Sequence, residues 1–281
     1  MTAPLGTKPY AEVIGDPIAH SKSPLIHNFW LGKLGIEADY RACHVRPNEL
    51  ADYFGRRRGD AQWRWCNVTI PHKEAVAALL GERDQTARAV GAVNTVFRGA
   101  DDGLTGTNTD VNGIEEAVRG AALDGGKALV LGTGGAARAA FAFLARQNCA
   151  VTILARNADK AETAARECGL AARVLPFTAG TGAFDNAALV VNATQLGMKG
   201  QAPMPDFVLS ELERTAPDAL VFDMVYAPLE TALLARGRAL GRRTSDGLVM
   251  LVGQAATAFE RFFGRPAPRE HDATLREMLV P

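Results

Sequence analysis

The chain lacks several of the features that assign a protein quickly. None of its apolar runs is long enough to span a bilayer, so no membrane-crossing segment is expected. It has no surplus of either charge: 31 Lys and Arg stand against 31 Asp and Glu, for a formal net charge of zero with neutral histidines. A nucleic-acid partner calls for a basic footprint, which this balance does not supply. The one basic run, Arg56-Arg57-Arg58, reads as a solvated helix end. Cysteine is scarce. Cys43, Cys66, Cys149 and Cys168 form no C-x-x-C pair and have no histidine at ligand spacing, so no metal is expected and the thiols read as reduced. The N-terminus has no basic stretch followed by an apolar one, so no signal peptide is expected and the cytoplasm is the expected compartment. Solenoid repeats and low-complexity tracts are also missing.

What is present centres on Lys127 to Arg156. Ala128 to Leu131 is a short apolar run of the kind found in buried parallel strands. Gly132-Thr133-Gly134-Gly135-Ala136-Ala137 then fits G-x-G-x-x-A. The first glycine allows a tight turn, the second allows a pyrophosphate to approach the backbone, and the small residue at 137 lets helix and strand pack closely. A helix from about Ala136 to Gln147 would aim its first N–H groups at the phosphates, and Val151 to Ala155 is the next strand. Strand, glycine turn, helix and second strand together point to dinucleotide binding. An NAD site usually places Asp or Glu about 20 residues past the glycines; this chain has Ala155-Arg156-Asn157 there. Arg156 carries a planar fork of donors suited to a 2′-phosphate, so NADP is the expected cofactor.

At 281 residues two domains are expected. Before the glycine turn, Tyr10 to Gly15 reads as a strand and runs into a loop with Pro17, Ser21, Ser23 and Pro24. Ser23 would cap the helix that follows, while Ser21 is left to present a hydroxyl. Ala38 to Val45 reads as a strand and Pro47 to Gly55 as a helix. Trp65 to Pro71 reads as another strand, with Asn67 and Thr69 on one face. Lys73 follows at the start of a helix running to Leu80, where its charge opposes the macrodipole and favours a functional role, although by itself a lone lysine there reads as solvated. Ala89 to Phe97 reads as a strand with a polar break at Asn94, and Asp101-Asp102-Gly103 as a hairpin turn. Asp110 would cap a helix reaching about Ala121 or serve as a catalytic carboxylate, two readings the residues alone leave even.

After Arg156 the βα alternation continues, through a helix at Asp159 to Cys168 and strands at Ala172 to Leu175, Ala188 to Thr194, Leu220 to Tyr226 and Arg242 to Thr244. Loops at the carboxyl ends of such strands are where α/β proteins bind ligands. The helix Leu248 to Phe263 is apolar almost all round, with Gln254 as a polar exception on the face of Met250. Since the cofactor unit is complete by Thr244, the last helices are expected to return to the first domain. The expected fold is α/β: an N-terminal α/β domain, residues 1–110 completed by 245–281, and a Rossmann-type doubly wound domain, residues 111–244.

Several stretches resemble one family. Ile14-Gly-Asp-Pro-Ile-Ala-His-Ser-Lys-Ser-Pro24 with His27-Asn28 is similar to the N-terminal signature of shikimate dehydrogenases. So are Asn67-Val-Thr-Ile-Pro-His-Lys73, Gly91-Ala-Val-Asn-Thr95, Asn108-Thr-Asp110, Asn192-Ala-Thr194, Asp223-Met-Val-Tyr226-Ala-Pro228 and Asp246 to Gln254. The matches run through almost the whole chain in order. The resemblance implies NADPH-linked reduction of 3-dehydroshikimate to shikimate, in aromatic amino-acid biosynthesis. It implies that Ser21, Ser23, Asn67, Thr69, Asn94, Asp110, Tyr226 and Gln254 hold the substrate and that Lys73 and Asp110 are the catalytic pair. It implies that Gly132, Thr133, Gly134, Gly135, Ala136, Arg156, Asn157, Thr194, Met224 and Gly247 hold the cofactor. The partners implied are the small-molecule substrate and NADP, with neither nucleic acid nor membrane; a homodimer is compatible with the sequence, which does not fix the assembly.

The chain departs from the family pattern at Ala155 and Asn157, which flank the phosphate arginine where Asn and a hydroxyl residue are usual. It also departs at His72, where an aromatic is usual, and at Gln195, where Ser is usual. Two other readings compete. A quinate or dual quinate/shikimate dehydrogenase would alter the serine loop and use NAD, which intact Ser21 and Ser23 with Arg156 argue against. A non-catalytic dinucleotide sensor would be expected to lose Lys73 or Asp110, and the chain keeps both.

Overall fold

Short apolar strands alternating with helices build two separate six-stranded sheets, described by a computed structural model over residues 8–99 and 103–280. The chain divides into two units. The first runs to Arg88, resumes over Ala92–Thr109 and takes in the chain from Ala255; the second is Ala89–Gly91 with Asp110–Gln254.

In the first unit, β1 (Tyr10–Gly15) leads through the proline loop to α1 (Ser23–Leu34), followed by β2 (Asp39–His44), α2 (Leu50–Arg58) and β3 (Trp63–Val68). The two-residue β4 (Glu82–Arg83), α3 (Gln85–Val90), β5 (Thr95–Arg98) and β6 (Leu104–Thr107) follow. The sheet order is β2-β1-β3-β5-β6-β4, with β5 antiparallel to both its neighbours. One face of the sheet is dry: Ile14, Val45, Phe54, Trp63, Val68, Val76 and Val96 pack together there, each 4 % exposed or less. Burying a side chain of this size contributes about 1.5–3 kcal/mol.

The other unit opens with α4 (Asp110–Ala117) and then runs β7 (Gly126–Leu131), α5 (Gly135–Leu144), β8 (Cys149–Ala155), α6 (Ala158–Glu167) and β9 (Ala172–Pro176). It continues with β10 (Leu189–Asn192), α7 (Asp206–Glu211), β11 (Leu220–Asp223), α8 (Ala232–Ala239) and β12 (Arg243–Ser245). All six strands are parallel, in the order β12-β11-β10-β7-β8-β9. This is a doubly wound sheet, reversing direction between β7 and β10. The apolar runs of the inner strands β7, β10 and β11 are buried on both faces, as parallel strands require, while the outer β9 and β12 are only partly covered. Asn157 caps α6, its side-chain oxygen accepting from Lys160 N at 2.9 Å. After β12, α9 (Gly247–Phe263) starts in the second unit and ends in the first, where α10 (Asp272–Leu279) also belongs.

Several local expectations are corrected. The stretch read as one strand from Ala89 to Phe97 is the end of α3, a turn at Gly91 and only then β5; an apolar run of this length does not by itself separate helix from strand. β3 stops at Val68, so Thr69 lies just beyond it, though its N–H still bonds Ile14 O at 2.9 Å. Lys73 does not start an α-helix. It sits in a turn before a short 3-10 helix, Ala75–Leu79, which removes the macrodipole argument for it. Ser23 is the first residue of α1 rather than its cap, and its N–H is met by Ser21 Oγ at 3.3 Å. Asp110 likewise lies inside the first turn of α4, which ends at Ala117. The hairpin turn expected at Asp101-Asp102 lies outside the described residues, although Gly99 N bonds Gly103 O at 2.7 Å beside it.

Arg57 is not a solvated helix end. It turns inward, with Nε 2.8 Å from Glu12 Oε2 and Nη2 2.9 Å from Oε1, while Tyr53 Oη donates to Oε2 at 2.8 Å. Glu12 is only 3 % exposed on the inner strand β1, and these donors are what permit a carboxylate there. Among the described residues no helix is long and apolar enough to cross a membrane, and no group of side chains could hold a metal ion.

Candidate active site

The second unit places its chemistry at the carboxyl ends of β7, β8, β10 and β11. In the turn after β7, Gly132 has φ +100°, a left-handed value that only glycine adopts without strain. A Cβ there would also lie 2.6 Å from Thr194 Cγ2, so the turn is pressed against the end of β10. At Gly134 and Gly135 the situation is opposite: nothing lies within 4 Å of where a Cβ would be. That open backbone leads into the first turn of α5, whose N–H groups have no intrahelical partners. Ala137, Ala139 and Ala140 are fully buried, the close packing that small residues allow. An anion such as a pyrophosphate fits this cradle.

Arg156 follows the last residue of β8 and is exposed, with no hydrogen-bond or ion-pair partner among the described residues. Its guanidinium is therefore available to a 2′-phosphate. Asn157 next to it has its side-chain oxygen committed to capping α6, so any contact it offers a cofactor comes through its amide nitrogen or its backbone.

Two polar residues that end apolar strands, Asn192 on β10 and Asp223 on β11, tie the neighbouring loops together. Asn192 Nδ2 donates to Asp223 Oδ1 at 2.9 Å, and its Oδ1 accepts from Thr194 Oγ1 at 2.6 Å and Thr194 N at 3.0 Å. Asp223 also accepts from Val225 N at 3.0 Å and Thr231 Oγ1 at 2.7 Å. Burial pushes its carboxyl above the usual range while these donors pull it back. The sequence reading did not single out the Asn192–Asp223 bond; the signal was a polar residue at the end of each apolar strand. The loop beyond carries Met224 and the 38 % exposed Tyr226, whose phenol is pushed up by burial of part of its ring. Gly247 touches this loop, since a Cβ on it would lie 2.3 Å from Met224 O. On α9, Gln254 Nε2 bonds its own helix at Leu251 O, 2.9 Å away.

Within the first unit, Ser21, Ser23, Asn67, Thr69, Lys73 and Asn94 come from loops and strand ends on one sheet. Asn67 and Asn94 are 6 % and 3 % exposed and are bonded through Thr95: Asn67 Nδ2 donates to Thr95 Oγ1 at 2.9 Å, which donates to Asn94 Oδ1 at 2.9 Å. Thr69 abuts the serine loop, its Cγ2 only 2.6 Å from where a Cβ of Gly15 would fall. Lys73 is half-buried, and its carbonyl accepts from Val93 N at 2.8 Å, beside Asn94. His72 has a role that the sequence did not show. Its fully buried ring bonds Val45 O through Nε2 at 2.7 Å and anchors the turn that carries Lys73. Asp110, 7 % exposed, belongs to the second unit.

Comparison with known proteins agrees with this geometry. Residues 13–96 match the shikimate dehydrogenase substrate binding domain, 115–199 the shikimate / quinate 5-dehydrogenase family and 247–272 the shikimate 5'-dehydrogenase C-terminal domain. The chain is 49 % identical to the shikimate dehydrogenase (NADP(+)) of Sphingopyxis alaskensis over 97 % of both chains. It is also similar to the crystal structure of shikimate 5-dehydrogenase from Thermus thermophilus in complex with NADP(H) and shikimate: TM-score 0.82, 34 % identity, 96 % of this chain and 99 % of that one. The ligand-free 5-ketofructose reductase of a Gluconobacter strain has TM-score 0.85 at 28 % identity, over 97 % and 99 % of the two chains. With a relative this close along nearly its full length, and family matches in both halves, the chain belongs to the shikimate dehydrogenase family.

Proposed function

We propose that the chain is an NADP-dependent oxidoreductase that reversibly reduces 3-dehydroshikimate to shikimate on the route to aromatic amino acids. The observation that carries this reading is the 49 % identity with a named NADP-dependent shikimate dehydrogenase over 97 % of both chains. The first unit, up to Thr109 and completed from Ala255, serves as the substrate domain, and the second, Asp110–Gln254, as the NADP domain, so the boundaries expected at 111 and 245 move to 110 and 255. Gly132, Thr133, Gly134, Gly135 and Ala136 hold the pyrophosphate, and Arg156 with Asn157 takes the 2′-phosphate. Thr194, Met224 and Gly247 line the remainder of the cofactor site. Bound NADPH supplies the hydride.

The protein supplies position and a proton. Ser21, Ser23, Thr69, Asn94, Tyr226 and Gln254 hold the hydroxyls and carboxylate of the ring. Asn67, whose Nδ2 donates to Thr95 and whose Oδ1 accepts from Tyr40, contributes through the second lone pair of that oxygen and by holding Asn94. Lys73 donates to the carbonyl oxygen as negative charge develops there and takes the proton back in the reverse direction. Asp110 orients the ammonium and contacts the substrate. Retention of Lys73 and Asp110 disfavours a dinucleotide sensor, and Ser21, Ser23 and Arg156 favour shikimate over quinate. A cytoplasmic enzyme fits its four free cysteines.

The test is steady-state oxidation of shikimate, and of quinate, with NADP and NAD, followed at the nicotinamide absorbance. Lys73→Ala is expected to lower kcat by about 10²–10⁴ with little change in shikimate affinity. Asp110→Asn should also lower kcat, and the double variant should lose less than the product of the two. A folded Lys73→Ala protein with normal kcat would remove the lysine from the mechanism. Turnover of quinate in preference to shikimate would move the substrate assignment.

A further inference from the structure

Five buried side chains of the first unit form one hydrogen-bonded file. Tyr40 Oη donates to Asn67 Oδ1 at 2.6 Å, and Asn67 Nδ2 to Thr95 Oγ1 at 2.9 Å. Thr95 Oγ1 donates to Asn94 Oδ1 at 2.9 Å, and Asn94 Nδ2 to Thr109 Oγ1 at 3.0 Å. None of the five is more than 6 % exposed. In surroundings this dry each bond strengthens the next, and a broken one leaves a costly unpaired atom.

The direction of the file is set at both ends. At one end the Thr109 N–H points at Asn94 Oδ1 from 2.8 Å. At the other is Tyr40, a hydroxyl that keeps its proton because burial pushes its phenol well above the ordinary tyrosine value. If the Asn67 amide were turned over, its oxygen would face the Asn94 carbonyl, now 3.3 Å from Nδ2, acceptor against acceptor. It would also draw the single Thr95 proton away from Asn94 Oδ1. Tyr40 is itself held firmly. Its ring stacks on His27 with centroids 4.0 Å apart and planes 4° from parallel, and Asn28 takes its backbone N–H at 2.9 Å and its carbonyl at 2.7 Å.

We propose that Tyr40 is a positioning residue for the reaction: through Asn67 and Thr95 its hydroxyl keeps the Asn94 amide oxygen turned inward, so that Asn94 meets the substrate as a hydrogen-bond donor and selects an oxygen acceptor. This rests on the substrate role proposed above for Asn94. Tyr40 touches no substrate in this scheme. Its effect is on ground-state recognition of the ring rather than on proton transfer.

The experiment compares wild type, Tyr40→Phe, Asn94→Ala and the double variant in shikimate oxidation, with thermal unfolding of each. Tyr40→Phe keeps the ring on His27 and removes only the hydroxyl. It is expected to raise KM for shikimate roughly tenfold, with kcat and KM for NADP near wild type. Adding it to Asn94→Ala should cause no further loss, because the effect runs through Asn94. Thr95→Val, which breaks the file between the two asparagines, should reproduce the KM effect and serves as the second variant if Tyr40→Phe does not fold. An unchanged KM for shikimate, an equal loss in the Asn94→Ala background, or a fall in Tm without a change in KM each overturns the positioning role. Wild type that does not oxidise shikimate sinks the functional reading and this role together; active wild type with a kinetically normal Tyr40→Phe sinks this role alone.

Discussion

Gly247 is pressed against the backbone of Met224: a Cβ on Gly247 would sit 2.3 Å from the Met224 carbonyl oxygen and 2.7 Å from its carbon. Real Cβ atoms do not approach that closely, so a side chain at 247 must displace the loop after β11. Gly247→Ala is expected to raise KM for NADPH at least severalfold and to cost about 1–3 kcal/mol of stability, the usual scale of overpacking. Kinetics and thermal unfolding on the same preparation check both parts. An alanine variant with wild-type affinity for NADPH would show that the loop position does not matter to the cofactor.

Arg156 stands exposed at the end of β8. Arg156→Ala should raise KM for NADPH about ten- to a hundredfold and barely alter that for NADH, since a charge-assisted bond contributes ~1.5–3 kcal/mol. The ratio of the two KM values is the measurement. Equal changes for both cofactors would detach Arg156 from the 2′-phosphate.

The buried Glu12–Arg57 pair has a different expected signature. Glu12→Gln leaves the inward-turned guanidinium without its counter-charge, a change that costs about 3–5 kcal/mol for a buried pair. Glu12→Gln combined with Arg57→Met should recover much of that loss, as replacing both partners removes the unpaired charge. Urea unfolding of the single and double variants checks this, and KM values for both substrates should stay near wild type in whatever fraction folds.

His27 lies fully buried among Trp30, Tyr40, Phe259 and Phe262, and burial lowers its pKa from 6.5 to about 3. The folded protein therefore binds fewer protons at this ring than the unfolded chain does. Its contribution to stability is complete above the unfolded value near pH 6.5 and falls by about 1.4 kcal/mol per unit as the pH drops from there towards 3. Denaturant titrations across that window should show the slope. The imidazole resonances of His27 should remain those of a neutral ring down to about pH 4; a midpoint near 6.5 would contradict the burial argument.

The doubly wound half was legible in the sequence because parallel strands are apolar on both faces and glycine turns punctuate them. The limits of β7, α5, β8 and α6 fall within two or three residues of the pattern. The first half was harder to read. Ala89 to Phe97 is apolar whether it forms helix, turn or strand, and only the tertiary placement of Asn94 against Thr109 decides. Arg57 looked solvated because its partner Glu12 lies 45 residues away, beyond any local pattern. Arg156 can be proposed from its place after the second strand of the glycine-turn unit; Lys73 can be proposed only from the family resemblance, since a lone lysine reads as solvated. Residues that hold others in place could not be given that part: Tyr40 did not stand out, His72 stood out only as a departure and Asp223 only within a motif, and each acquires its part from what packs against it.

The Asn28–Tyr40 pairing has a consequence for how the protein behaves in concentrated solution. β2 is an outer strand of its sheet, and the Asn28 amide occupies both backbone groups of Tyr40 there, as a neighbouring strand would. The opposite border is β4, two residues long and made of exposed Glu82 and Arg83. Open strand borders are templates on which a second chain can add and aggregate. Here one border is capped at Tyr40 by a side chain that imitates a strand, and the other is short and charged.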